Sequence, residues 1–202
     1  MNTTLKDIIE RRSIRNFKTD EVPHALIDKV IEAGLYAASG KGKQSPIIVA
    51  VTNPDLRARI ARDNCRIGGW EEGTDPFYGA PVILIVLAPK EGHTSVQDGS
   101  LVLGNLMLAG HALGLGTIWI NRAKEEFEEP FYQKLLKNWA SRVRISVLGT
   151  VRSATAAAIC QSRPPAAQIA CIMFRSLRIP QNNLLKEPIL TVSRWSKSAL
   201  CF

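Results

Sequence analysis

The chain has 202 residues, of which 46% are hydrophobic and 22% are charged, and this composition is typical of a globular protein with one domain. No run of about 18 apolar residues occurs, so we expect no membrane-spanning helix. The polar N-terminus lacks the apolar stretch of a secretory signal, which predicts a cytoplasmic protein. The net charge of +8, taken alone, favours nucleic acid or an anionic membrane as a partner.

The positive charge is confined to the last third of the chain. Residues 1–139 hold 17 basic and 17 acidic residues, whereas residues 140–202 hold nine basic residues and a single acid, Glu187. Because the first 139 residues are neutral overall, we expect neither a nucleic-acid partner nor a membrane partner. The four cysteines have spacings that fit neither a metal site nor a disulfide framework.

Helical and strand patterns alternate up to residue 139, which predicts an α/β or α+β fold with a sheet covered by helices. A first short helix begins near Thr3 or Thr4, either of which could be its N-cap. The strand APVILIVLAP is apolar on both faces, so we expect it at the centre of the sheet. The other predicted elements are the helix VPHALIDKVIEAGLYAAS, the strand PIIVAVT, the helix NPDLRARIARDN, the helix SVQDGSLVLGNLMLAGHALGLG ending at Gly114 or Gly116, the strand TIWI and the helix PFYQKLLKNW.

Two stretches could bind an anion or a small ligand. In ERRSIRNF, three guanidinium groups and a hydroxyl within five residues can form a fork-like site for a phosphate, although a solvated basic patch at a helix end is the alternative. In AASGKGKQSP, two glycines and two lysines can bring backbone N–H groups close to a ligand, although a plain connection is the alternative. Neither stretch has the spacing of a phosphate-binding P-loop, and GLGTIWI lacks the dinucleotide-binding glycine pattern.

The chain offers no nucleophile or metal site of its own. The three histidines, His24, His93 and His111, have no metal-ligand spacing to another histidine, cysteine or acid. No arrangement of serine or cysteine with histidine and an acid can be argued either. These absences predict that any chemistry comes from a bound cofactor and that no metal is needed.

Four blocks in a fixed order identify a resemblance. RRSIRNF, AASGKGKQSPIIVAVTN, DPFYGAPVILIVLA and DGSLVLGNLMLAGHALGLGTIWI closely resemble the nitroreductase family of flavoproteins, and the resemblance covers residues 1–139. It implies an α+β fold with a central, mostly antiparallel sheet flanked by helices. It also implies a homodimer that binds FMN in two clefts at the subunit interface.

The resemblance assigns roles to particular positions. Arg11, Arg12 and Ser13 match the residues that hold the FMN phosphate and ribityl chain, and Arg15 matches the cation near the flavin N1–O2 edge. Ser39, Lys41 and Gln44 match the loop that reaches the flavin from the other subunit. Asn64 matches an amide at the pyrimidine edge of the flavin. The segment 120–122, which includes Asn121, matches the segment that faces flavin N5.

The activity implied by the resemblance is ping-pong electron transfer. NADH or NADPH would deliver hydride to the flavin, and a nitroaromatic, quinone or similar small molecule would then take the electrons, with no catalytic side chain required. The alternatives are a flavin-binding relative with impaired catalysis and a basic-tailed protein that binds nucleic acid.

The tail, residues 140–202, does not match the family. The excess of basic residues, the cysteine-rich composition and the loss of periodicity all begin at Trp139. Deletion of one G after the TGG codon of Trp139 would turn Trp-Gly-Ile-Glu into the observed Trp-Ala-Ser-Arg. We therefore interpret 1–139 as a truncated flavin-binding domain and 140–202 as an out-of-frame, poorly ordered basic tail. On this hypothesis the C-terminal strand is missing and activity is impaired. A genuine basic extension is the alternative.

Overall fold

The computed structural model describes residues 1–143 and 151–160 and has helices packed on a four-stranded sheet. The helices are α1 (Thr3–Glu10), α2 (His24–Leu35), α3 (Pro54–Gly68), α4 (Ser95–Ala112), α5 (Ala123–Glu128) and α6 (Pro130–Val143), and a short 3₁₀ turn covers Gly40–Gly42. The strands are β1 (Ile47–Val51), β2 (Val82–Pro89), β3 (Gly116–Ile120) and β4 (Val151–Cys160).

All pairs in the sheet are antiparallel, in the order β1-β2-β4-β3. The central strand β2 is buried from Val82 to Ala88, as its unbroken apolar run predicts. The α+β architecture and the antiparallel sheet expected from the sequence are thus confirmed.

The expectation of a missing C-terminal strand is wrong for the described residues. Strand β4 lies within the predicted tail, yet its backbone pairs with β2 on one side and β3 on the other. Strand pairing uses backbone N–H and C=O groups, and the segment VRSATAAAIC contains neither proline nor glycine, so a non-family sequence can still fill the position. The rest of the predicted tail, 144–150 and 161–202, lies outside the described residues.

Helix ends differ from the sequence predictions in detail. Helix α1 is capped by Asn2, whose side-chain oxygen accepts from the Thr4 N–H at 2.9 Å, and not by Thr3 or Thr4. Helix α4 ends at Ala112, because the chain then turns through Gly114 at a φ of +79°, which glycine adopts without strain. The short helix α5 was not predicted, since six residues rich in glutamate carry no clear apolar period.

Helix α4 lies tightly against the edge strand β3. A Cβ added at Gly110 would lie 2.6 Å from Cγ2 of Thr117, so only glycine permits this approach. The buried Thr117 hydroxyl donates to the Met107 carbonyl at 3.4 Å. This contact fixes the strand against which the N-terminal basic segment lies.

Within the described ranges, no helix has the length and apolarity needed to cross a bilayer.

Candidate functional site

The basic segment after α1 is attached directly to β3. The Arg11 N–H donates to the Asp7 carbonyl at 3.0 Å, which ends the helix. Ser13 then forms a parallel bridge with Thr117, and the Ile14 N–H donates to the Thr117 carbonyl at 3.0 Å. Two stretches singled out in the sequence, RRSIR and GTIWI, therefore lie side by side.

The guanidinium groups of this segment have different surroundings. Arg12 Nη1 donates to the carbonyls of Ile9 at 2.5 Å and Arg11 at 2.8 Å, so this side chain caps the end of α1. Arg11 Nη1 is buried and has no hydrogen-bond partner in the described part of the chain. A buried guanidinium nitrogen without an acceptor is costly, and a bound anion would supply one. Ser13 and Arg15 are exposed.

The loop Ser39–Gln44 is held in a strained, well-defined shape. Lys41 and Gln44 both have left-handed backbone conformations, with φ of +57° and +46°. The Ser39 hydroxyl oxygen accepts from the Gln44 N–H at 2.9 Å, and the Gln44 side-chain amide donates to the Ala37 carbonyl at 3.0 Å. These bonds close the loop on itself and on the end of α2.

A buried carboxylate anchors the same loop to α4. The Gly40 N–H donates to Asp98 Oδ1 at 2.9 Å, and the Thr94 hydroxyl donates to Asp98 Oδ2 at 3.0 Å. Asp98 is only 4% exposed. Sequence reasoning missed this residue, although an acid in the first turn of a helix was a usable signal.

Asn64 lies inside the protein and contacts the segment that follows β3. It is fully buried, and its side-chain nitrogen donates to the Asn121 carbonyl at 2.9 Å and to Glu126 Oε1 at 2.6 Å. Its oxygen, Oδ1, is buried without a partner in the described residues. The structure therefore brings two of the predicted site residues, Asn64 and Asn121, into contact through a donor of the Asn64 amide.

The segment around Asn121 is shaped by its neighbours. The Asn121 side-chain oxygen accepts from the Trp119 indole N–H at 3.0 Å. Arg122 has a φ of +85° and forms an ion pair with Glu125 at 3.5 Å. Asn121 and Arg122 are both exposed residues, at the junction where β3 turns into α5.

Glu126 is the second site residue that the sequence did not reveal. It is fully buried, and burial raises its pKa to about 8. The charges of Asp63, Glu125 and Glu129 also raise this pKa, whereas the hydrogen bond from Asn64 lowers it. Glu126 Oε2 has no partner among the described residues. In the run EEFEE, four acids look alike, so no local signal marks the buried one.

The predicted residues form two groups in one chain. Arg11, Ser13 and Asn121 belong to segments joined by β3, and Asn64 adjoins Asn121. The hydrogen bonds described for the Ser39–Gln44 loop run to α2 and α4, and none of them reaches the first group. A separate cavity of about 730 Å³ lies between α3 and residues 70–75, lined by Arg57, Arg62, Cys65, Trp70 and Asp75 among others, and it contains none of the predicted site residues.

The described residues contain no cluster of three or more histidine, cysteine or acidic side chains able to hold a metal ion.

Comparison with known proteins identifies the fold and gives a partial match to one sequence family. Residues 8–65 match the model of the nitroreductase family. A nitroreductase with bound FMN from Bacteroides fragilis superimposes with a TM-score of 0.67 at 22% identity, covering 95% of this chain and 100% of that one. An FMN-dependent nitroreductase from Clostridium difficile gives the same TM-score at 21% identity, covering 88% and 99%. The chain has the nitroreductase fold.

Sequence relatives agree with this nitroreductase resemblance, which is confirmed. A protein of Methanothermobacter thermautotrophicus, named as an NADH dehydrogenase/NAD(P)H nitroreductase, is 32% identical over 123 residues, or 57% of this chain and 59% of the relative. The FMN reductase [NAD(P)H] of Bacillus subtilis is 25% identical over 151 residues, or 64% of this chain and 58% of the relative. The chain thus spans less than two thirds of the length of these two relatives.

Proposed function

We propose that the protein is an FMN-dependent oxidoreductase that passes electrons from NADH or NADPH to a nitroaromatic, quinone or similar small acceptor by a ping-pong mechanism. The observation that carries this proposal is the buried, unpartnered Arg11 nitrogen in a segment bound to β3. The names of the relatives, which include NAD(P)H nitroreductase and FMN reductase, support it.

The residues present fit FMN. Arg11 has a free donor for a phosphate, and Ser13 lies exposed beside it. Asn64 keeps one buried, unpaired acceptor, Oδ1, which suits the ring N–H of a flavin pyrimidine edge. When bound, FMN supplies reversible hydride and electron transfer. The residues proposed to hold it are Arg11, Arg12, Ser13, Arg15, Asn64 and Asn121 of one subunit and Ser39, Lys41 and Gln44 of the other.

The chain's own groups would tune and shield this chemistry. An exposed cation at Arg15 would stabilise negative charge on a reduced flavin beside it. The loop around Gln44 is held by its own hydrogen bonds to Ser39 and Ala37, so we expect binding to cost little ordering entropy.

We propose that the functional unit is a homodimer, which the exposed apolar residues support. Leu5, Ile8 and Ile9 lie on α1 and are each more than half exposed, and Val96 and Leu101 of the neighbouring helix α4 are about half exposed. A second copy covering this surface would remove the apolar side chains from water. The cytoplasmic location expected from the sequence stays a prediction.

An absorption spectrum of the purified full chain tests the proposal. We expect flavin bands at about one FMN per subunit, and oxidation of NADH or NADPH when a nitroaromatic or quinone is added. Colour without oxidation would instead support the impaired flavin-binding relative. A colourless protein that cannot be loaded with FMN would contradict the proposal.

A pair of arginine variants sharpens this test. Arg11→Gln should weaken FMN binding about tenfold or more, because a charge-assisted contact to phosphate is lost. Arg62→Gln, at an exposed arginine of the separate cavity, is the matched control and should bind FMN normally. Equal FMN affinities of the two variants would remove Arg11 from the phosphate site.

We also propose that residues 140–202 are read out of frame. The step in charge after Trp139 supports this reading. Resequencing the gene through the Trp139 codon is the direct test. An unambiguous in-frame read, together with close relatives that share the tail, would refute it.

A further inference from the structure

Glu126 is a buried acid next to the segment proposed to face the flavin. It is one of four glutamates in the stretch EEFEE, and the other three are partly or largely exposed. Its neighbour Phe127 is buried as well, so α5 directs both side chains into the protein. A fully buried carboxyl group requires a structural or functional reason.

The contacts of Glu126 lead to the backbone of Asn121. A single side-chain nitrogen, Asn64 Nδ2, donates both to Glu126 Oε1 at 2.6 Å and to the Asn121 carbonyl at 2.9 Å. Glu126 and Asn121 are therefore joined through one amide group. The position of that amide depends on both acceptors, since each uses one of its two N–H donors.

The charges around Glu126 favour its neutral form. On α3, the charge of Asp63 raises the pKa of Glu126, and Asp63 pairs with Arg59 and Arg66. On the α5 side, the charges of Glu125, paired with Arg122, and Glu129, paired with Arg66, act in the same direction. From α6, Tyr132 donates its hydroxyl proton to Asp63. Strand β4 carries two titratable residues, Arg152 and Cys160. Each lies four residues along the strand from Ala156, the position that pairs with Ile120.

We propose that Glu126 is a positioning residue, which acts through Asn64 to fix the Asn121 backbone and thereby the Ile120–Arg122 segment beside the flavin. This inference rests on the proposed function for its effect on turnover, but the positioning of Asn121 can be measured without FMN. In the neutral acid, Oε1 accepts from Asn64 and no charge lies under the segment. Ionisation of Glu126 places a negative charge there, which opposes the addition of electrons to a nearby flavin.

Nuclear magnetic resonance of the full, ¹⁵N-labelled chain tests the positioning directly. In the native protein, the Asn64 side-chain amide and the Asn121 backbone amide should shift together with a midpoint near pH 8. In Glu126→Gln, which keeps an acceptor oxygen but cannot ionise, both signals should stay near their native low-pH positions throughout. Glu128→Gln, at an exposed glutamate of the same helix, is the matched control and should titrate like the native chain.

Binding and turnover give a second measurement. Glu126→Gln should bind FMN as tightly as the native protein at neutral pH. If the native rate of NAD(P)H oxidation falls as Glu126 ionises near pH 8, the rate of this variant should not fall there. Glu126→Leu removes the acceptor and should weaken FMN binding about tenfold, the effect expected when a buried amide loses its partner. Rescue by glutamine but not by leucine distinguishes positioning from simple filling of space.

The outcomes separate the two proposals. If the native chain cannot be loaded with FMN, the proposed function fails, and the resonance titration still decides the positioning role. If the Asn64 and Asn121 signals of Glu126→Gln titrate as in the native chain, Glu126 does not control the segment. A folded Glu126→Leu chain with unchanged Asn121 resonance would likewise overturn the inference.

Discussion

The hydroxyl of Tyr132 donates a 2.8 Å hydrogen bond to Asp63 Oδ2, and the tyrosine is fully buried. This bond joins α6 to α3, the helix that carries Asn64. Burial raises the pKa of Tyr132, and the hydrogen bond to Asp63 adds to this shift. The hydroxyl therefore remains a donor over the whole physiological pH range.

Removal of this hydroxyl should destabilise the protein moderately. Tyr132→Phe keeps the ring contacts with Phe127 and Phe131 but, among the described residues, leaves Asp63 with its two arginine partners alone. We expect a loss of about 1 kcal/mol in the free energy of unfolding, measured by urea denaturation. Tyr78→Phe, at a tyrosine 40% exposed, is the control and should change stability little. Equal stability of both variants would mean that the bond contributes nothing net.

The raised pKa of Glu126 predicts a pH-dependent stability. The folded protein holds this proton up to about pH 8, whereas the unfolded chain releases it near the ordinary value of 4.5. The folded state therefore binds more protons between these pH values, so stability falls as pH rises through that window and this contribution levels off above about pH 8. The total change is on the order of 5 kcal/mol, from the size of the shift.

Urea denaturation of the chain without added FMN, at several pH values between 4.5 and 8, measures this slope. Glu126→Gln should flatten the curve, because the amide cannot titrate. The exposed Glu128→Gln variant should keep the native slope. A Glu126→Gln curve as steep as the native one would assign the pH dependence to other groups.

The anchoring of the Ser39–Gln44 loop makes Gly40 intolerant of a side chain. A Cβ at this position would lie 2.3 Å from the Thr94 hydroxyl, which is already bonded to Asp98. Gly40→Ala should displace the loop and weaken FMN binding about tenfold, measured by fluorescence titration of the flavin. Gly104→Ala on α4 meets open space and should bind FMN normally, with stability raised by about 0.5–1 kcal/mol. Unchanged FMN binding by Gly40→Ala would exclude this loop from the site.

Strand β4 provides a test of the sheet itself. Ala157 pairs with Leu84 on one side and Trp119 on the other. Ala157→Pro removes a ladder donor at a central strand and should destabilise the fold by about 3 kcal/mol. Ala157→Val keeps the N–H and is the comparison. Thermal unfolding that is the same for both variants would show that this segment does not pair in the sheet.

The sequence predicted those features that rest on local patterns. The apolar run of β2 and the helix α3, predicted from NPDLRARIARDN, follow from residues close together in the chain. The attachment of RRSIR to β3 was not predicted, because Ser13 and Thr117 are far apart in sequence and no local pattern links them.

Other features depend on packing that no short window contains. Asn64, a residue on another helix, decides which acid of the α5 run is buried. The anchoring role of Asp98 depends on the distant Gly40. Strand β4 was missed because its pairing uses backbone groups, which an alanine-rich sequence supplies as well as a family-like one.

The central place of β4 has a consequence for biosynthesis. Strand β3 pairs only with β4 in the described sheet, and β4 is also the link between β3 and the β1–β2 pair. During translation, β3 and the RRSIR segment bound to it must therefore wait for residues 151–160 before they join the rest of the sheet. Because such late, long-range pairing is slow, the emerging chain exposes open strand edges for chaperones to shield.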